Sequence, residues 1–125
     1  MPEVASVGPT EEEARKENNN IKVSKFPFIA NGKALGMGEI EGMVKIIADV
    51  DTLELLGVHI LGVHASDLIA EVTLDLSMEV TAFEIVNTIH AHPTLAEYHR
   101  RSGRRDNRQT YSSSPGIICY LLKKT

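Results

Sequence analysis

The sequence predicts an α+β domain in which helices pack on one side of an antiparallel β-sheet. Stretches rich in Val and Ile, typical of strands, come early, and most segments with helical spacing follow them. The two strongest strand candidates are joined by three residues, a length that suits an antiparallel hairpin. A sheet and helices that are separated along the chain in this way are typical of the α+β class.

The first strand is expected at residues 2–8, ending in a Gly-Pro turn. Thr10 and Glu13 have the spacing of a capping box, in which each side chain satisfies a backbone amide of the other residue. A short polar helix should therefore follow. It is expected to end near the asparagines at 18–20, because Asn favours turns and left-handed backbone.

A second strand is expected at residues 21–30, and Pro27 restricts its place in the sheet. Proline cannot donate to a strand ladder, so this strand lies at an edge or is broken there. Residues 31–42 hold four glycines and are predicted to form a loop. They match neither the dinucleotide-binding pattern GxGxxG nor a P-loop, which disfavours phosphate binding.

The central hairpin is predicted from residues 43–49 and 53–61. A helix should begin near Ser66, with Ser66 and Asp67 in its cap and first turn. Its apolar face is expected to comprise Leu68, Ile69, Val72 and Leu76.

Two more capping boxes follow that helix. Thr81 and Glu84 should open a helix, and Thr94 and Glu97 should open the last one. The residues expected on the buried side of the first of these two helices are Phe83, Ile85, Val86 and Ile89.

The composition is that of an ordinary globular domain, with 42% apolar and 24% charged residues. The lone Cys119 excludes an internal disulfide and a Cys-rich zinc site. No apolar run approaches the ~20 residues that span a bilayer, and the N-terminus lacks the features of a signal peptide. We expect a cytoplasmic protein with no membrane partner.

Charge divides the chain at Glu97. Residues 1–97 hold six basic and sixteen acidic residues, whereas residues 98–125 hold seven basic residues and one acidic residue. We therefore predict a domain at 1–97 and a divergent basic, Ser-rich tail at 98–125. Five arginines between positions 100 and 108 invite a nucleic-acid interpretation, but no aromatic platform is interleaved with them. A solvated tail is favoured, and no nucleic-acid partner is expected.

The segment from His90 to Glu97 is the most informative part of the sequence about function. A Glu97 carboxylate at the third position of a capped helix points back toward His92, where it can fix the tautomer of the imidazole. The pair would then act as a positioned general base. Two alternatives stay open at this point. In the first, Glu97 serves only as a helix cap. In the second, His90 and His92 bind zinc or copper together with either Glu97 or His99.

This segment, HAHPTLAE, closely resembles the HAHPT-x-x-E segment of dihydrolipoyl dehydrogenases. Glutathione reductases share the HPT-x-x-E core, but the preceding His-Ala and the following Leu favour the lipoamide branch. The resemblance continues in order over about residues 2–97, in PEVASVG (2–8) with Thr10-Glu11, KFPF (25–28) with Ala30-Asn31, GMVKI (42–46) and LLGVHILG (55–62).

The resemblance implies the C-terminal dimerisation (interface) domain of a dihydrolipoyl dehydrogenase, in the pyridine nucleotide-disulfide oxidoreductase family. In that family the N-terminal part binds FAD and NAD and carries a CxxxxC disulfide. The C-terminal domain forms the homodimer interface and inserts its His–Glu pair into the partner's active site. His92 would accept the proton of a dihydrolipoyl thiol, and Glu97 would orient His92. The His92–Pro93 bond resembles one that is cis in the family.

The same resemblance implies that electrons pass through FAD to NAD. It also implies that the partners are the rest of the flavoenzyme and the lipoyl-bearing proteins of 2-oxo acid dehydrogenase or glycine cleavage complexes. The location would be the cytoplasm, or the mitochondrial matrix in a eukaryote.

Two features depart from the family. The sequence contains neither GxGxxG after a strand nor a second cysteine, so we expect the isolated chain to bind no cofactor, and to be colourless and inactive. A basic segment also stands after Glu97, where the family continues in an apolar helix. A free-standing dimerisation module without catalysis is the alternative function.

Overall fold

Four antiparallel strands form one sheet within the residues that the computed structural model describes, 1–18 and 20–99, without the side chains of Val86 and His99. The order across the sheet is β1-β4-β3-β2. The strands are β1 (Glu3–Val7), β2 (Ile21–Pro27), β3 (Met43–Asp49) and β4 (Leu55–Gly62). The predicted fold class and central hairpin are confirmed, and β2 lies at an edge, as Pro27 requires.

The main core lies on one face of the sheet. Side chains alternate along β3, so Val44 and Ile46 point to this face, and both are almost fully buried. Helix α3 (Ala65–Ser77) covers the face with Val72, and helix α4 (Ala82–Asn87) adds Ile85. On the opposite face, Ile47 packs against Ala14 of helix α1 (Glu11–Glu17) in a smaller cluster.

Two of the predicted capping boxes are confirmed. The Thr10 amide donates to Glu13 at 2.8 Å, and the Glu13 amide donates to the Thr10 hydroxyl at 3.3 Å. Thr81 and Glu84 form the equivalent box at the start of α4. Both helices therefore begin where the local sequence indicates.

The prediction of a loop at 31–42 is wrong. β2 ends at Pro27, a short 3-10 helix follows at Phe28–Ala30, and α2 spans Gly32–Met37. The Asn31 side chain caps α2, and Gly38 ends it in left-handed backbone with φ 74°. A good cap at each end offsets the low helix propensity of the glycines.

Helix α3 begins differently from the prediction. His64, with φ 56°, precedes the helix and makes no side-chain cap. Ser66 lies inside the first turn, and its amide and hydroxyl both donate to the Glu3 carboxylate of β1. The capping group therefore comes from a distant strand.

Phe83 and Ile89 were expected to be buried but are 57% and 92% exposed. α4 ends at Asn87, so Ile89 lies beyond it, and Ala82 and Ile85 are the α4 residues in the core among the described side chains. The prediction for Val86 lies outside the described side chains. The last predicted helix is a 3-10 helix, Leu95–His99.

The predicted tail lies outside the described residues from position 100 onward. Tyr98 precedes that point, and its side chain is fully buried in the main core. No helix in the described part of the chain is long and apolar enough to cross a membrane.

Candidate functional site

The His92 ring and the Glu97 carboxylate are in direct contact. His92 Nδ1 lies 2.7 Å from Glu97 Oε2, and the same oxygen accepts the Thr94 amide at 3.4 Å. The turn between them includes a cis His92–Pro93 peptide bond, and the Thr94 hydroxyl donates to the Ala91 carbonyl at 2.7 Å. The Glu97 side chain is 13% exposed, whereas that of His92 is 64% exposed.

This contact determines which nitrogen of His92 is available. An ionised carboxylate only accepts hydrogen bonds, so Nδ1 must carry the proton that is shared with Glu97. The neutral ring then keeps its lone pair at Nε2. Because the ring is largely exposed, Nε2 can reach a group outside this domain, while the bond between Nδ1 and Glu97 fixes the orientation of the ring.

Asn31 holds the backbone between the two members of the pair. Its side-chain oxygen accepts the amides of Lys33 and Ala34 at 2.9 and 3.1 Å. Its side-chain nitrogen donates to the carbonyls of Thr94 and Leu95, both at 3.2 Å. One buried amide thus joins the start of α2 to the segment that carries Glu97.

A second His–Glu contact holds the segment upstream of the turn. His90 Nε2 lies 2.7 Å from Glu71 Oε1 of α3, and the His90 side chain is 9% exposed. Asp75 lies one turn further along α3, and its pKa is raised by burial and by the charge of Glu71. Burial also raises the pKa of Tyr98. The two histidines of this segment contact different carboxylates, that of Glu71 for His90 and that of Glu97 for His92.

The described residues contain no metal-ligand cluster, and their glycine-rich segment forms no phosphate cradle. Among them, no group of three or more His, Cys, Asp or Glu side chains is placed to hold a metal ion, and the side chain of His99 lies outside them. The glycine-rich segment that could have bound a phosphate forms α2, and Asn31 already occupies the amides of Lys33 and Ala34. This chain therefore offers no cradle there for FAD or NAD.

The sequence correctly predicted that Glu97 lies beside His92, but it gave no indication of the contacts made by Asn31 and Glu71. An Asn directly before Gly-Lys-Ala is a helix N-cap pattern, and it could have indicated the start of α2. No local pattern indicates its bonds to residues 94 and 95, which lie 63 and 64 positions away.

The chain matches the family model described as "Pyridine nucleotide-disulphide oxidoreductase, dimerisation domain" over residues 1–102. It therefore belongs to that family of dimerisation domains. Within the family it is a dimerisation domain of the dihydrolipoyl dehydrogenase type. It is 53% identical over 96 residues to the dihydrolipoyl dehydrogenase of Bacillus subtilis and 54% identical over 96 residues to that of Thermus scotoductus. Each match covers 77% of this chain, which spans about a fifth of the length of those relatives.

Solved structures share the fold. The HOCl-induced flavoprotein disulfide reductase RclA of Escherichia coli superposes with a TM-score of 0.72 at 28% identity, over 78% of this chain and 24% of that one. LpdA of Mycobacterium tuberculosis has the same TM-score at 24% identity, over 78% of this chain and 21% of that one.

Proposed function

We propose that this domain supplies a His–Glu general base to the disulfide site of a partner subunit in an NAD-dependent dihydrolipoyl dehydrogenase. The observation that carries the proposal is the 2.7 Å contact from His92 Nδ1 to Glu97, on a ring that is 64% exposed. A buried structural histidine would have both nitrogens enclosed. Here one nitrogen is held and the other is presented, as proton transfer to another molecule requires.

In the proposed step, His92 Nε2 takes the proton of a dihydrolipoyl thiol. The S–H bond breaks, and the resulting thiolate attacks one sulfur of the partner's disulfide. A new S–S bond forms, and the other cysteine leaves as a thiolate. Glu97 keeps Nδ1 protonated throughout and stabilises the imidazolium, so the ring is ready to return the proton.

FAD and NAD belong to other parts of the enzyme in this proposal. The relatives are about five times as long as the matched region, and they are named as dihydrolipoyl dehydrogenases. The described residues offer no cradle for either cofactor in the glycine-rich segment. The whole reaction therefore needs polypeptide beyond the matched region.

We also propose a homodimer that pairs through one apolar surface, here named the α3–α4 surface. It comprises Leu74 on α3, Met78 directly after the end of α3, and Phe83 and Ile89 on the segment that follows. All four side chains are more than half exposed. Large apolar side chains that are exposed in neighbouring elements of the chain are candidates for an interaction site, and a dimerisation family makes a second copy the natural occupant.

A chimera tests the proposed chemistry. Residues 1–102 of this chain replace the matching region of the Bacillus subtilis dihydrolipoyl dehydrogenase, and NAD-dependent oxidation of dihydrolipoamide is measured. We expect an active dimer. His92→Asn should lower kcat by roughly 10²- to 10⁴-fold, the usual contribution of a positioned general base, and Glu97→Gln should lower it less.

The matched control is His64→Asn. His64 is also exposed and also lies beside a carboxylate, that of Asp67 at 3.3 Å, but it is not in the proposed site. Asn tolerates the left-handed backbone at this position. We expect unchanged kcat in the control. Full activity in the His92→Asn chimera would instead leave this domain with dimerisation alone.

A further inference from the structure

We propose that Asn31 is a positioning residue for the His92–Glu97 pair. The proposal rests on the function proposed above, because it concerns how the same pair is held. Asn31 is 3% exposed, and its amide group satisfies two separate parts of the backbone at once. It touches neither member of the pair through its own side-chain bonds, and it acts on the chain between them.

The chemistry of a primary amide suits this position. It offers an oxygen that accepts and a nitrogen with two N–H donors. The oxygen accepts two amides at the start of α2, and the nitrogen donates to two successive carbonyls, those of Thr94 and Leu95. Among the common N-cap residues, Ser, Thr and Asp can perform the first task but not the second.

The two carbonyls lie where they govern the placement of Glu97. The Thr94 carbonyl accepts from Asn31 Nδ2 at 3.2 Å and from the Glu97 amide at 3.5 Å. The Glu97 backbone is therefore held through an oxygen that Asn31 also holds. The bond from the Glu97 amide to the Thr94 carbonyl is long and weak by itself. The buried donation from Asn31 is therefore the stronger restraint on this turn.

The other contacts of the segment restrain different parts of it. His90 is tied to Glu71, which holds the chain before the cis-proline turn. The Thr94 hydroxyl bonds back to Ala91 and closes the turn itself. Asn31, a side chain from outside residues 90–99, contributes two bonds to the stretch after the turn.

The test uses the full 125-residue chain and the substitution Asn31→Asp. This variant keeps the oxygen that caps α2 and replaces the two donors by a carboxylate oxygen facing two carbonyls. Long-range ¹H–¹⁵N correlation spectra of the histidine rings report which nitrogen of His92 carries the proton. The His92 signals are assigned from their loss in His92→Asn.

We expect the wild-type His92 ring to be the Nδ1–H tautomer, and Asn31→Asp to lose that tautomer in favour of the Nε2–H form. The matched control is Asn20→Asp. Asn20 Nδ2 donates to Asp51 at 2.6 Å, so this control also removes an amide donor and adds a negative charge, far from the pair. The control should retain the wild-type spectrum.

A neutral variant, Asn31→Ser, keeps a good N-cap and lacks the long donor, and it serves if the aspartate variant does not fold. It should lose the Nδ1–H tautomer as well. A folded Asn31 variant that keeps this tautomer, even with a lower urea midpoint, overturns the positioning role and leaves the His–Glu base intact. A wild-type ring without the Nδ1–H tautomer overturns the base and its positioning together.

Discussion

The Glu3 carboxylate caps helix α3 from 63 positions away in the sequence, because it accepts both the amide and the hydroxyl of Ser66, at 2.8 and 2.7 Å. A negative charge at a helix N-terminus is favourable, since the first amides of a helix have no partners within it. This contact fastens strand β1, at the edge of the sheet, to the principal helix.

The Glu3 contact predicts a pH-dependent stability. The two bonds from Ser66 lower the pKa of Glu3 below its ordinary value of 4.5. A lowered carboxyl pKa stabilises the fold at pH values above that of the unfolded state, and the effect is lost as the pH falls through the folded value. Glu3→Gln should therefore lower the urea midpoint at pH 7, and the difference from wild type should shrink below pH 4.5.

The control for Glu3 is Glu12→Gln, because Glu12 is 81% exposed and pairs with Lys16 across one helical turn. Such exposed pairs contribute little. Its urea midpoint should stay close to wild type at each pH. A Glu3→Gln deficit that persists undiminished at low pH would contradict the role of the charge.

The charge of Asp75 should lower the stability of the domain, whereas that of Glu3 raises it. Burial and the neighbouring Glu71 raise its pKa, and the residue also lies near the C-terminus of α3, where a negative charge is unfavourable. Asp75→Asn should therefore stabilise the domain by about 0.5–1 kcal/mol at pH 7. The gain should shrink as the pH falls through the raised pKa of Asp75, because the wild-type group is then neutral as well. Urea denaturation from pH 7 to pH 4 measures it, and a gain that does not change with pH would contradict the assignment.

Tyr98 should be essential to the fold. Its side chain is fully buried in the main core, although it follows the charge boundary at Glu97. Tyr98→Ala should cost about 3–5 kcal/mol of stability, as removal of a buried aromatic ring does. Thermal unfolding of the full chain measures the loss. A change of less than 1 kcal/mol would show that the ring is not packed in the core.

The α3–α4 surface should govern self-association. Leu74→Glu combined with Met78→Glu places two charges on the proposed contact and should raise the dimer Kd by at least roughly tenfold. Analytical ultracentrifugation over a range of concentrations measures this. Val4→Glu is the control, because Val4 is 77% exposed on β1 and lies on the other side of the sheet from α3. Equal weakening by both changes would contradict the proposed surface.

The features that the sequence predicted correctly are those with short-range causes. Capping boxes lie within four residues, and the contact between His92 and Glu97 spans five positions, so local spacing was sufficient. Helix α2 was missed because glycine has a low average helix propensity, and the Asn31 cap decided its start. The bonds from Asn31 to 94 and 95 and from Glu3 to Ser66 depend on how strands and helices meet in space, which no local pattern contains.

The large sequence separation between Asn31 and the two carbonyls that it bonds also sets an order of events during synthesis of the chain. A ribosome releases residues from the N-terminus onward, so the α2 cap can form long before residues 94 and 95 emerge. Until then the side-chain nitrogen of Asn31 lacks the two carbonyls that it bonds in the folded domain. The alignment of His92 and Glu97 therefore depends on a bond that can form only after residues 94 and 95, which follow Asn31 by 63 and 64 positions, have been synthesised.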